Sequence, residues 1–238
     1  MANVSHRFSH PSPRSIHTRK DDDGFAPWLI AGADFDNDFP IIAPLPPSVP
    51  APRDIVPFIK RREVPFSMKS TTFLHFYSND YTFRGITRRI EWYAEEARDF
   101  GGMLSPDFSI DVNAKDPVAR ANVYRSRAVG SYMQRLGIPV IPSLRWGREN
   151  TFEYAFRGIT KHSMVAISTV GSLKNPRIKS VFHQGLLAML AALEPSTVLV
   201  NGEMPLDIFG DLLEEHPDMF RSFPSWTHRA MEATHGHR

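Results

Sequence analysis

The chain has 238 residues and a mass of 27.0 kDa, enough for one sizeable core with room for a tail. Hydrophobic residues make up 42% and charged residues 23%, and a formal net charge of +2 gives little support to a nucleic-acid partner. There is no cysteine, which excludes disulfides, thiolate metal sites, iron–sulfur clusters and cysteine nucleophiles. No apolar run approaches the roughly 18 residues of a membrane span, so a cytoplasmic protein without a membrane partner is expected.

Residues 1–24 are polar, rich in His and Ser, and basic until Asp21–Asp23. They cannot bury enough apolar area to offset the entropy of ordering and read as a disordered basic tail. Residues 25–64 hold PWLIAG, PLPPSVPAP and IVPFIKRR. They read as a Pro-rich extended arm lying on the main domain, with Trp28 and Phe58 as anchors and with room for a protein partner. Residues 65–222 carry the pattern of an α/β domain, and 223–238 read as a C-terminal tail.

Within the domain, FLHFY (Phe73–Tyr77) predicts a strand, and Ile86, Ile90, Tyr93, Ala94, Ala97 and Phe100 then recur at helical spacing. Gly101-Gly102 ends that helix and MLSPDFSI (Met103–Ile110) predicts the second strand. Asp116-Pro117 supplies a cap and a first-turn proline for a helix that runs to about Leu136. IPVIPSLRW (Ile138–Trp146) is the third predicted strand, followed by a short helix near Thr151–Phe156. SMVAIST (Ser163–Thr169) is the fourth. Asn175-Pro176 then opens a helix, TVLVNG (Thr197–Gly202) makes the fifth strand, and Leu206–Glu215 follows as helix.

Five βα units imply α/β architecture with a parallel sheet. A doubly wound open sheet would need strands apolar on both faces. Here His75 and Tyr77 alternate with Leu74 and Phe76; Ser105, Asp107 and Ser109 with Leu104 and Phe108; Ser143 and Arg145 with Leu144; Ala166 and Ser168 with Val165 and Ile167. One bulky apolar face and one small or polar face point to an incomplete or irregular (β/α) barrel, with an open parallel sheet as the alternative.

Ligand sites in parallel α/β folds lie at the carboxyl ends of the strands. Those ends supply Asp80, Asp107, Arg145, Trp146, Ser168 and Asn201, and Arg125 with Asn122 falls on the buried stripe of the helix after the second strand. Arg127 is read as a surface residue. Asp107 and Arg145 share the inner face, where burial demands a partner.

The segments SPDFS (Ser105–Ser109), NVYRSRAVG (Asn122–Gly130), IPVIPSLRWG (Ile138–Gly147) and VAISTVGSLK (Val165–Lys174), in this order, resemble an uncharacterised family, domain of unknown function 4417, found in bacteria, phages and other mobile elements. The resemblance spans about Leu74 to Gly202 and implies no assigned reaction. Ser172 stands where the family's members often have Cys, so a thiol-dependent mechanism is not expected.

In chemical terms, Arg145 and Arg125 suit a phosphate or carboxylate, Trp146 a base or sugar, and Asp107 general-base or nucleophilic work if burial raises its pKa. Gly171 and Ser172 offer backbone N–H groups to an anion. No phosphate-binding GxxxxGK[ST] loop, GxGxxG or HExxH occurs, so the sequence names no cofactor and no obligatory metal. Two readings stand. One is a small enzyme on a nucleotide-like or other anionic, phosphorylated ligand, with Asp107 and Arg145 central. The other is a non-catalytic phage or mobile-element binding protein that engages nucleic acid or a protein partner.

Overall fold

The computed structural model describes residues 26–173 and 175–235. The expected basic tail, residues 1–24, lies outside them. A two-residue hairpin, β1 (Phe35–Asp36) with β2 (Phe39–Pro40), precedes seven parallel strands: β3 (Asp54–Pro57), β4 (Thr72–His75), β5 (Gly102–Leu104), β6 (Val140–Ile141), β7 (Met164–Ser168), β8 (Thr197–Asn201) and β9 (Phe220–Phe223). The first four form one sheet and the last three another, each in sequence order, and a single parallel bridge between Ser143 and Ala166 joins them. The α-helices are α1 (Phe66–Lys69), α2 (Ile90–Ala97), α3 (Asp116–Arg135), α4 (Phe152–Ala155), α5 (Pro176–Leu193), α6 (Leu206–Glu215) and α7 (Trp226–His235).

Pleat parity sorts the core. Leu74, Phe76, Met103 and Val140 pack on α2 and α3 through Tyr93, Ala94, Val129 and Met133. Val165, Ile167, Val198 and Val200 pack on α5 and α6 through Phe182, Leu186, Met189 and Phe209. The opposite parity contributes one residue from each parallel strand to a third cluster: Ile55, Phe73, Leu104, Ile141, Ala166, Leu199 and Phe223. The strands from β4 to β8 thus bury both faces, one under helices and one against the other strands, while β9 exposes Arg221 and Ser222. Side chains tie the outermost strands together. Arg221 Nη2 donates to Pro52 O at 3.1 Å, and Arg229 holds the Asp54 carboxylate with bonds of 2.8 and 2.6 Å. Among the described residues no backbone pairing joins β9 to β3, so the architecture is α/β with parallel sheets sharing one core rather than a ring closed by hydrogen bonds.

Several expectations change. The second and third strands are much shorter than predicted. Proline has no N–H to give a ladder, and Pro106, Pro139 and Pro142 bracket what remains. Strand pairing is handed across Pro142: Ala166 N donates to Pro142 O at 2.9 Å and Leu144 N to Ala166 O at 2.8 Å. Leu104 belongs to the inner, strand-only cluster and not to the helix-covered face, while Ser105 Oγ meets Ser126 Oγ of α3 at 3.1 Å. The pleat ends at Leu104, and the chain then turns Asp107 back inward.

The segment read as an arm supplies β3, and its Leu29, Ile42 and Phe58 enter the core under α2 and α3. Trp28 packs against the same cluster, and Phe58 stacks on Phe76 at 5.3 Å between centroids. The segment read as a C-terminal tail begins at the last residue of β9 and continues as α7. Asp116 lies inside α3 with no capping bond, and its carboxylate accepts from Tyr154 Oη at 2.9 Å. Asn175 does cap α5, accepting from Arg177 N at 2.9 Å. Among the described residues no helix is long and apolar enough to cross a membrane.

Candidate functional site

The carboxyl ends of β5, β6 and β7 carry the polar groups. Asp107 is 5% exposed and both its oxygens accept from Arg145: Nε reaches Oδ1 and Oδ2 at 2.9 Å each, and Nη2 reaches Oδ2 at 2.5 Å. Burial pushes the Asp107 carboxyl up, and the guanidinium pulls against that. The same carboxylate holds Arg145 charged, pushing its pKa above the usual arginine value. The Arg145 side chain is 31% exposed, so one edge of the pair meets solvent.

That edge lines a cleft of about 250 Å³ with Asp107, Ser109, Asp111, Leu144, Trp146, Ser168, Gly171, Ser172 and Phe182. A second cleft of about 300 Å³ lies across the loop Thr169–Gly171, lined also by Gly202, Glu203, Ser222, Ser225 and His228. Gly171, at φ +82°, belongs to both walls. Ser172 N is already donated to Thr169 O at 3.1 Å, so it is spent on the turn and not offered to an anion.

The remaining predicted residues build the walls. Asp80 accepts from Ser109 N at 3.0 Å and from Ser109 Oγ at 2.8 Å, and Asn122 Nδ2 donates to Ser109 O at 2.7 Å. Together they pin the loop that carries Asp107. Arg125 is half-buried and donates to Asn122 Oδ1 at 3.3 Å. Ser168 and Asn201 bond each other, Asn201 Nδ2 donating to Ser168 Oγ at 3.0 Å. Trp146 is no free stacking platform. The residue is 7% exposed, and its ring packs on Phe182 at 5.4 Å and lies so close to Gly185 that a Cβ there would meet Nε1 at 2.0 Å.

Two groups escaped the sequence reading. Arg127 is not on the surface. It is 2% exposed, and burial without any carboxylate partner lowers its pKa to about 9. Its Nε donates to Arg157 O at 2.8 Å, Nη2 to Ala155 O at 2.7 Å and Nη1 to Ser143 O at 3.2 Å. The buried face of α3 runs through Ala119, Val123, Ser126, Arg127, Gly130 and Met133. That is regular helical spacing made largely of small and polar residues, which a count of large apolar side chains overlooks. At Gly130 a Cβ would meet Ile42 Cδ1 at 2.4 Å, so glycine is needed for the arm to lie on α3. The other group is Tyr77, whose hydroxyl accepts from Ser143 Oγ at 2.9 Å and is pushed well up by burial and the nearby Asp107 charge. Among the described residues no group of three or more His, Asp or Glu side chains is placed to hold a metal ion.

Comparison with known proteins bears on this end of the molecule. The chain is 33% identical over 158 residues to the Gene 1 protein of Mycobacterium phage L5, an alignment covering 64% of this chain and 69% of that protein. It is 31% identical over 163 residues to the Gene 1 protein of Mycobacterium phage D29, covering 68% of this chain and 60% of that one. No solved structure matches. The match to a protein family runs from residue 36 to residue 223, through the hairpin, both sheets and the cleft, and by it the chain belongs to the family of the domain of unknown function DUF4417.

Proposed function

We propose that the cleft at the carboxyl ends of β5–β7 binds a nucleotide-like or other phosphorylated anion, with Arg145 as its anion ligand and Asp107 holding that guanidinium in place. One observation carries this reading. Asp107 engages Nε and Nη2 of Arg145, whereas neither Nη1 hydrogen has a protein acceptor among the described residues, and the group is part-exposed at the wall of a cleft. A guanidinium oriented by a carboxylate on one edge and open on the other is the arrangement that forks onto phosphate.

Ser168 and Gly171 face the same space, and Asn201, Asn122, Arg125 and Asp80 set the loops around it. In an enzyme, Asp107 becomes a general base only once Arg145 has turned to the ligand, because both carboxylate oxygens are otherwise occupied. The seven-strand cluster supports describing the whole as an irregular, incompletely closed barrel with the cleft at one mouth.

A second reading places the working surface on the arm, where Pro44, Pro46, Pro47 and Pro50 are exposed while Leu45 and Val49 turn toward the strand cluster. A thermal-shift screen of nucleotides, sugar phosphates and oligonucleotides against wild type and Arg145→Ala separates the two. A ligand at a hundred times its Kd adds about 2.7 kcal/mol. A hit lost in Arg145→Ala supports the cleft. No hit, with partner capture abolished by Pro46→Ala/Pro47→Ala, supports the arm.

A further inference from the structure

Two segments that follow neighbouring strands meet on the surface beside the cleft. Phe58–Glu63 leaves the carboxyl end of β3, and residues 80–89 leave that of β4. They join at Trp92: Arg61 Cζ lies 5.0 Å and Arg89 Cζ 4.5 Å from its ring centroid. Nearby, Arg84 lies 4.2 Å over the ring of Tyr81, which is 66% exposed.

Of the acidic residues that balance this stretch in the sequence, none pairs with Arg84, Arg88 or Arg89 among the described residues. Glu96 pairs with Arg61, Glu95 with Arg98 and Glu63 with Lys60, and the exposed Glu91 is within ion-pair distance of no arginine among the described residues. Asp80 is turned to Ser109 at the cleft wall, which ties this surface to the cleft's loop. Arg62, Arg84, Arg88 and Arg89 are left exposed, none within ion-pair distance of a carboxylate among the described residues.

We propose that this Arg–aromatic surface binds single-stranded nucleic acid. Four unpaired guanidiniums supply phosphate contacts, and Tyr81 and Trp92 with their overlying arginines supply flat faces on which bases stack. A duplex hides its base faces and an acidic protein has none, so the single strand uses both halves of the surface. This surface is independent of the cleft ligand, although a strand lying on it reaches the same end of the sheets.

The test is fluorescence anisotropy with labelled oligo(dT) of about 20 nucleotides, over a KCl series starting near about 50 mM. Arg84→Glu/Arg88→Glu is compared with Arg53→Glu/Lys161→Glu, which makes the same change of charge at exposed positions preceding β3 and β7. Circular dichroism melting confirms that both variants fold. The proposal expects roughly tenfold or greater weakening and a shallower salt slope in the first variant, and a less than roughly twofold change in the second. It is overturned if wild type does not bind, if both variants weaken equally, if duplex DNA binds as tightly, or if only phosphatidylserine vesicles are captured.

Discussion

Arg127 and Arg145 border the same small void beneath the cleft and are handled in opposite ways. Arg127 is enclosed, has no carboxylate partner among the described residues, and gives its strong donors to the carbonyls of Ser143, Ala155 and Arg157. It clamps the end of β6 to α4 and the turn after it. Arg145 has a buried carboxylate, a part-exposed side chain and unspent donors. The contrast shows what burial does to a cation. Where each guanidinium nitrogen meets a carbonyl, the charge serves structure. Where one edge is fixed by a carboxylate and the other is open, it is poised for an anion.

The sharpest way to break this contrast is Arg127→Met. It leaves the buried Ser143 and Ala155 carbonyls and the part-buried Arg157 carbonyl without their donor and should cost about 3–5 kcal/mol in urea unfolding. A loss below about 1 kcal/mol would show that water replaces the guanidinium and that Arg127 is no clamp.

A pH series tests the same interior through His75. Burial, reinforced by the Arg229 charge, lowers its pKa to about 3, and Nδ1 accepts from Tyr77 N at 3.2 Å. A depressed folded pKa means that stability is fully present above the unfolded value near 6.5 and is lost as pH falls toward about 3. The expected loss across that window is several kcal/mol, and His75→Gln should flatten it. A wild-type curve with no such slope would mean that His75 is hydrated.

Arg145→Ala should cost about 3 kcal/mol near neutral pH, the low end for a broken buried pair because Arg145 is part-exposed, with Asp107 left buried and unpaired. Without its partner the carboxyl rises further. A raised folded pKa gives stability that is present at low pH and lost as pH rises, so the cost should shrink in acid. A pH-independent cost would place Asp107 in contact with another cation. The smallest effect concerns the cleft wall. Gly185→Ala should destabilise by about 1–2 kcal/mol and displace Trp146, read as a shift in tryptophan emission. An unchanged spectrum would mean that α5 yields in place of the ring.

Much of this was legible in the sequence because it rests on local periodicity. Leu74 and Phe76 against His75 and Tyr77 gave the faces of β4 correctly, and Asn175-Pro176 marked the start of α5. Parity and the cost of an unpaired buried charge said that Asp107 and Arg145 each need a partner, whereas their meeting was decided by the fold, because the pleat ends at Leu104. Strands β3 and β9 were not legible. Asp54–Pro57 sits in a Pro-rich stretch and ends in proline, and Phe220–Phe223 exposes its two middle residues, so neither shows the apolar alternation that marked β4.

Sequence alone determined the α/β class, the order of the βα units and the collection of polar groups at one end of the strands, because pattern and punctuation act over a few residues. Tertiary structure alone decided which arginine is buried as a clamp, that Trp146 is wall and not platform, and that Glu95 and Glu96 pair with Arg98 and Arg61 and not with Arg84, Arg88 or Arg89. These outcomes depend on which side chain fills the space left by another segment. For Arg127 that space is set by Ser143, Ala155 and Arg157, 16 to 30 residues away along the chain, beyond the reach of any local pattern.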